Sequence, residues 1–158
     1  MNDKEKKFLE RAIELSRMGM ESGNGGPFGC VIVKGDEIVG EGSNQVTSTN
    51  DPTAHAEVVA IRAACKKLGT FQLSDCEVYT SCEPCPMCLG AIYWARPKRV
   101  VYANTREEAA GIEFDDEFIY QEINAKMSDR KIPFLHCPHP LAQKVFEQWK
   151  SLEGKTKY

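Results

Sequence analysis

Apolar positions recur at helical spacing at the start of the chain. Between Asp3 and Met18, residues Phe8, Leu9, Ala12, Ile13 and Leu15 share one face and charged side chains occupy the other. That period predicts an amphipathic helix. Asn24-Gly25-Gly26-Pro27 ends it. Gly29–Val33 and Ile38–Gly42 are β-rich runs on either side of Lys34-Gly35-Asp36-Glu37, whose turn chemistry predicts a hairpin. Asn50-Asp51-Pro52-Thr53 is expected to open a helix that runs to Leu68 and closes at Gly69. A short strand is expected at Glu77–Thr80. Pro84 suits the first position of a helix over Cys85–Trp94, and Arg99–Ala103 reads as a further strand.

An acidic connection follows, then a short helix from Asp116 to Ile123, a last strand at Ile132–Leu135, and a terminal helix over Leu141–Leu152. Leu141, Val145, Phe146, Trp149 and Leu152 form the apolar stripe of that helix. Strands alternating with helices argue for an α/β sandwich, a sheet covered by helices. No internal repeat or linker divides the chain, so residues 1–158 are expected to form one domain.

With 158 residues and 42% hydrophobic content, such a domain can bury a real core. The net charge of −3 is a poor footprint for a polyanion. The longest basic run, Arg96-Pro97-Lys98-Arg99, reads as a solvated strand edge, so nucleic acid is disfavoured as a partner. The charged N-terminus predicts no secretory leader, and no apolar run approaches the roughly 20 residues of a membrane span. Seven cysteines, an odd number, fit a reducing cytoplasm better than a disulfide framework. Cys30, Cys65 and Cys76 lie in apolar stretches as small core residues.

The chemistry concentrates at His55-Ala56-Glu57 and Pro84-Cys85-Pro86-Met87-Cys88. One imidazole and two thiolates make three ligands for one tetrahedral Zn²⁺ and leave the fourth position for water, as catalytic zinc sites do. His-x-Glu with Pro-Cys-x-x-Cys is the signature of zinc-dependent nucleobase deaminases. Cys85 and Cys88, three apart at a helix start, share a face, and the helix dipole there favours negative charge. Zinc lowers the pKa of a bound water from 15.7 to about 7. Glu57 is not needed as a ligand. It would take a proton from that water, deliver it to a ring nitrogen, and carry a second proton to the leaving amine. The peptide N–H of Cys85 is the expected donor to the developing oxyanion. A thioredoxin-type redox pair would not need His55 and Glu57, and a structural zinc site would need Cys82 as a fourth ligand. His136-Cys137-Pro138-His139 reads as the polar end of a strand turning into the last helix.

Thr53-Ala54-His55-Ala56-Glu57 and Ser81-Cys82-Glu83-Pro84-Cys85-Pro86-Met87-Cys88-Leu89-Gly90-Ala91 resemble the cytidine deaminase superfamily. Gly25-Gly26-Pro27-Phe28-Gly29, Asn50-Asp51-Pro52-Thr53, Ile92-Tyr93-Trp94-Ala95-Arg96-Pro97, Phe114-Asp115-Asp116 and Phe118-Ile119-Tyr120 narrow the resemblance to its bacterial guanine deaminases. It covers nearly the whole chain and is weakest between Ala125 and Leu152. The resemblance implies a three-layer α/β/α sandwich with a central five-stranded mixed sheet, one zinc per subunit, and a homodimer. It also implies C-terminal segments exchanged between subunits. Residues 153–158 would then cover the partner's pocket, and Tyr158 would close over the base. Read from the residues alone, a terminal Tyr is a frayed end.

The implied reaction is hydrolysis of guanine to xanthine and ammonia. Guanine presents N1–H and a 2-amino group on one edge, and a carboxylate is the matching acceptor. Asp116 is the choice for it, with Asp115 the adjacent alternative; an Asp here could equally cap the following helix. Asn44, otherwise a turn residue, would fix the purine from the other side. Phe28 and Trp94, otherwise core aromatics, would pack on the base. The rival readings are a tRNA-specific adenosine deaminase and a guanosine or cytosine deaminase. The first must bind an anionic stem-loop, and the acidic stretch from Glu107-Glu108 through Asp115-Asp116-Glu117 opposes it.

Overall fold

A computed structural model describes residues 1–158. The chain forms two compact units, Met1–Glu117 and Phe118–Tyr158. In the first, α1 (Asp3–Glu21) starts at Asn2, whose side chain accepts from Lys4 and Glu5 N–H while Glu5 reaches back to the Asn2 N–H. This reciprocal cap satisfies donors that a helix start otherwise leaves open. Strands β1 (Gly29–Lys34) and β2 (Glu37–Ser43) form the expected hairpin, followed by a single turn, α2 (Val46–Thr49). Helix α3 (Ala56–Leu68) ends on left-handed Gly69. Then come β3 (Cys76–Cys82), α4 (Pro86–Ala95), β4 (Arg99–Asn104) and the short α5 (Arg106–Ala110).

The sheet order is β2-β1-β3-β4, with β1 antiparallel to both neighbours and β3 parallel to β4. It is a mixed sheet of four strands, not the expected five. Ile132–Leu135 forms no strand. Pro133 sits in the middle of that run and has no N–H to give to a ladder.

Strand alternation sorts the core into two layers. Cys30, Ile32 and Val78 face α3, where they pack with Ala56, Ala60 and Ala64. Val31, Val33 and Tyr79 point the other way, toward Phe8, Leu9 and Leu15 of α1. Helix, sheet and helix thus make three layers. Helix α3 lies unusually close to β2, because a Cβ at Gly40 or Gly42 would collide with the Ala60 or Ala56 carbonyl. This contact fixes where the start of α3 projects.

Two helix starts differ from expectation. Asp51 accepts from the Thr53 N–H and hydroxyl, and Ala54 and His55 N–H bond back to Asp51 and Thr53 carbonyls. These tight turns occupy 51–55, so α3 begins at Ala56, not at Asn50. Pro86 rather than Pro84 is the first residue of α4.

In the second unit, α6 (Glu117–Asn124, whose first residue belongs to the first unit) is followed by a 3-10 turn at Met127–Asp129 and by α7 (Pro140–Ser151). His139 caps α7 by accepting from the Leu141 N–H. Its apolar stripe of Leu141, Val145, Phe146, Trp149 and Leu152 is exposed.

Candidate active site

His55 and Cys85 are both N-cap residues, of α3 and α4 respectively, and neither side chain caps its own helix. Both turn instead toward a common point. His55 Nδ1 lies 3.5 Å from Cys85 Sγ and 3.6 Å from Cys88 Sγ. The ligand atoms of these three residues all lie within 4.8 Å of one another. Zn–N and Zn–S bonds of ordinary length at a tetrahedral angle separate N from S by about 3.6 Å. The observed spacing meets that requirement, and the donor set is one that zinc favours. No fourth His, Cys, Asp or Glu joins the group. Cys82 Sγ points to the Thr105 carbonyl at 3.6 Å.

The electrostatics suit a divalent cation. Cys85 is held at about 4, by the hydrogen bond from Cys88 and by His55 beside it. Cys88 is pushed well above the usual thiol range, first by Cys85 and then by burial. A metal ion at this point would favour both sulfurs as thiolates. The same contact with Cys85 raises His55.

Glu57, in the first turn of α3, is only 6% exposed. Its Oε2 accepts from Cys88 Sγ at 3.3 Å and its Oε1 from the Thr80 hydroxyl at 3.2 Å. Burial raises its pKa. Cys82, also buried and near Glu57, is pushed up to about 11 and stays a thiol.

The neighbouring acids separate cleanly. Asp115 Oδ1 accepts from the Glu117 N–H at 2.9 Å and caps α6. Asp116 is half-buried, and its pKa is raised by burial and by the charge of Cys85. Asn44 is 4% exposed, and its backbone N–H donates to the Phe28 carbonyl. Its side-chain oxygen accepts from the Val46 N–H at 3.1 Å, which turns the NH2 end the other way. Phe28 meets Phe114 edge to face, with ring centroids 4.9 Å apart. A Cβ at Gly26 would strike both rings.

Of the residues expected in the site, His55, Glu57, Cys85 and Cys88 are brought together, and Asp116 is close enough to Cys85 to feel its charge. Trp94, on the last turn of α4, is 63% exposed and outside that group. Tyr158 belongs to the second unit. Sequence reasoning assigns no role to Thr80 or Phe114. Thr80 sits in a strand row that alternation alone reads as core. Phe114 stands in the Phe114-Asp115-Asp116 segment that carries the resemblance, but nothing in the sequence pairs it with Phe28.

Residues 2–104 match the cytidine and deoxycytidylate deaminase zinc-binding region, so the chain belongs to that family of zinc-binding deaminases. Within it, the chain is 56% identical over 151 residues to the guanine deaminase of Bacillus subtilis (strain 168), covering 96% of this chain and 97% of that one. The X-ray structure of guanine deaminase from Bacillus subtilis superposes with a TM-score of 0.95 at 54% identity, over 100% of this chain and 99% of that one. The tRNA-specific adenosine deaminase of Aquifex aeolicus (strain VF5) is 38% identical over 66% of this chain and 69% of its own.

Proposed function

We propose that this chain hydrolyses guanine to xanthine and ammonia with one zinc ion per subunit. The observation that carries the reading is the three-ligand group of His55, Cys85 and Cys88 with Glu57 beside it. Likeness to a guanine deaminase runs through the C-terminal segment as well, whereas likeness to the tRNA-specific enzyme spans two thirds of the chain.

His55, Cys85 and Cys88 would hold the zinc, which would supply a water of lowered pKa as the nucleophile. Glu57 would take the proton of the attacking water and pass it to N3 of the base as the oxygen adds at C2. It then carries the second proton to the departing amine, so that water and guanine leave as xanthine and ammonia. Burial of the Glu57 carboxyl raises its pKa and so favours its acid form, which a proton carrier needs in one half of its cycle. The Cys85 peptide N–H donates to the oxygen that develops at C2.

Asp116 accepts from N1–H and the 2-amino group, a role supported by its partial burial, by the charge of Cys85 that reaches it, and by the hydrogen bond that occupies Asp115. The NH2 of Asn44 donates to an acceptor on the opposite edge of the purine. Phe28 and Trp94 are the aromatic contacts to the base. The whole chain acts as one deaminase domain in a cytoplasmic homodimer with exchanged C-terminal segments. Residues 153–158 are its tail, and Tyr158 covers the partner's pocket. The exposed apolar stripe of α7 supports a partner for that segment.

Ammonia release from guanine, guanosine, cytosine, adenine and a tRNA anticodon stem-loop tests the reading. Guanine is expected to be the preferred substrate by orders of magnitude. Preference for the stem-loop would replace it with the tRNA reading.

A further inference from the structure

Thr80 occupies a place that strand geometry reserves for an apolar residue. On β3 the side chains of Cys76 and Val78 enter the core facing α3, while Tyr79 goes to the opposite layer. Thr80 is next in the first row and is 1% exposed. A hydroxyl so deeply buried must be hydrogen-bonded or it destabilises the fold. Its one hydrogen has two acceptors in reach, Glu57 Oε1 at 3.2 Å and the Gly29 carbonyl at 3.3 Å.

From this geometry we infer that Thr80 is a positioning residue for Glu57. The carboxylate has two oxygens and a torsion with a low barrier to rotation. Thr80 holds Oε1 from the sheet side, which leaves Oε2 on the side of Cys88, 3.3 Å from its sulfur. Glu57 comes from the first turn of α3 and Thr80 from the middle of the sheet, 23 residues apart. The bond therefore ties the orientation of the carboxylate to a buried position on an interior strand of the sheet. The inference rests on Glu57 being the proton carrier, because a carboxylate with no proton to move would need no fixed orientation. The competing role is purely architectural, a brace between β3 and the Gly29 carbonyl of β1.

Thr80→Val keeps shape and volume and removes the hydroxyl; Thr80→Ser keeps the hydroxyl. Both are compared with wild type for zinc per chain, Tm, KM and kcat for guanine, and the crystallographic position of the Glu57 carboxylate. A misaligned proton carrier costs kcat, and Thr80→Val is expected to lower it about 10- to 100-fold. Zinc should stay at one per chain and KM within about 2-fold of wild type, with a displaced or doubly placed Glu57 carboxylate. Thr80→Ser should recover most of the rate. Should Thr80→Val not fold, Thr80→Ser against Thr80→Ala carries the same comparison.

Wild-type kcat in the Thr80→Val enzyme overturns the inference, as does a loss of rate that merely follows a loss of zinc or an unmoved Glu57. Glu57→Ala is measured alongside, alone and with Thr80→Val. If Thr80 acts through Glu57, adding Thr80→Val to Glu57→Ala changes nothing further. Full activity in Glu57→Ala alone would instead remove the proton-carrier reading itself.

Discussion

His55 and Cys85 hold the same place in two different helices. Each stands at the N-cap, each leaves its own helix uncapped, and Nδ1 of one lies 3.5 Å from Sγ of the other. Two helix N-termini thus converge on one point. Their partial positive charge favours thiolates there, and a bound zinc ion would neutralise them. The arrangement makes the start of α3, pinned by Gly40 and Gly42 of β2, half of the metal site.

Removing the metal should therefore abolish turnover and loosen the junction between these helices. Treatment with a strong chelator is expected to stop ammonia release from guanine and to lower Tm, and added zinc to restore both. Cys88→Ser should show the same two losses and should not recover at stoichiometric zinc. Zinc content, differential scanning calorimetry and activity on one preparation check this. A chelated protein with full activity would contradict the site.

The adjacent aspartates should fail in different ways. Asp116→Ala is expected to lower kcat/KM for guanine at least 10-fold, with Tm and zinc content unchanged, since it removes a charge-assisted pair of hydrogen bonds. Asp115→Ala should instead cost about 0.5–2 kcal/mol of stability through the lost cap of α6, with kcat/KM near wild type. The reverse pattern would move the substrate carboxylate by one residue.

Much of this was legible before the structure. His55 and Glu57 together with two cysteines three apart favour catalytic zinc over a redox pair or a structural site, because zinc coordination fixes residue types and short spacings. The helical stripe of α1 and the β1–β2 hairpin were legible for the same local reason. What depended on non-local pairing was not. The Asn50–Thr53 run carries helix-start residues, yet its hydrogen bonds close turns that delay α3 to Ala56. Ile132–Leu135 is apolar enough for a strand, but Pro133 denies it a donor. Asp115 and Asp116 are chemically identical in sequence, and the hydrogen bond of one and the partial burial of the other tell them apart. Thr80 and Phe114 matter through contacts with residues far along the chain, Glu57 and Phe28, for which no sequence period exists.

Acid should weaken one specific tie between α1 and the sheet. Arg11 Nε and Nη2 donate to the two oxygens of Glu41 on β2, at 2.8 and 2.9 Å. These bonds hold the Glu41 carboxyl below its ordinary 4.5, against the opposing effect of partial burial. A carboxyl lowered in the folded state contributes its stability above the unfolded value and loses it as pH falls through the folded one. About a third of each side chain is in solvent, so screening limits the pair to about 0.5–1 kcal/mol. The stability gap between wild type and Glu41→Gln should be of that size at pH 7 and shrink as pH falls below about 4.5. Urea titrations at the two pH values check this; a gap independent of pH would show that the ion pair contributes nothing.

Deleting residues 153–158 should lower kcat/KM for guanine while zinc content and the circular dichroism of the fold persist. The expected cause is the loss of Tyr158 as a cover over the partner's pocket. An unchanged rate in the truncated chain would remove the tail from the site.

The most direct test is a single preparation of Glu57→Ala, assayed together for bound zinc and for ammonia released from guanine. The account predicts one zinc per chain and a kcat lowered by about 10²- to 10⁴-fold, the contribution of a positioned acid–base group. A zinc-loaded Glu57→Ala protein that releases ammonia at the wild-type rate would contradict it.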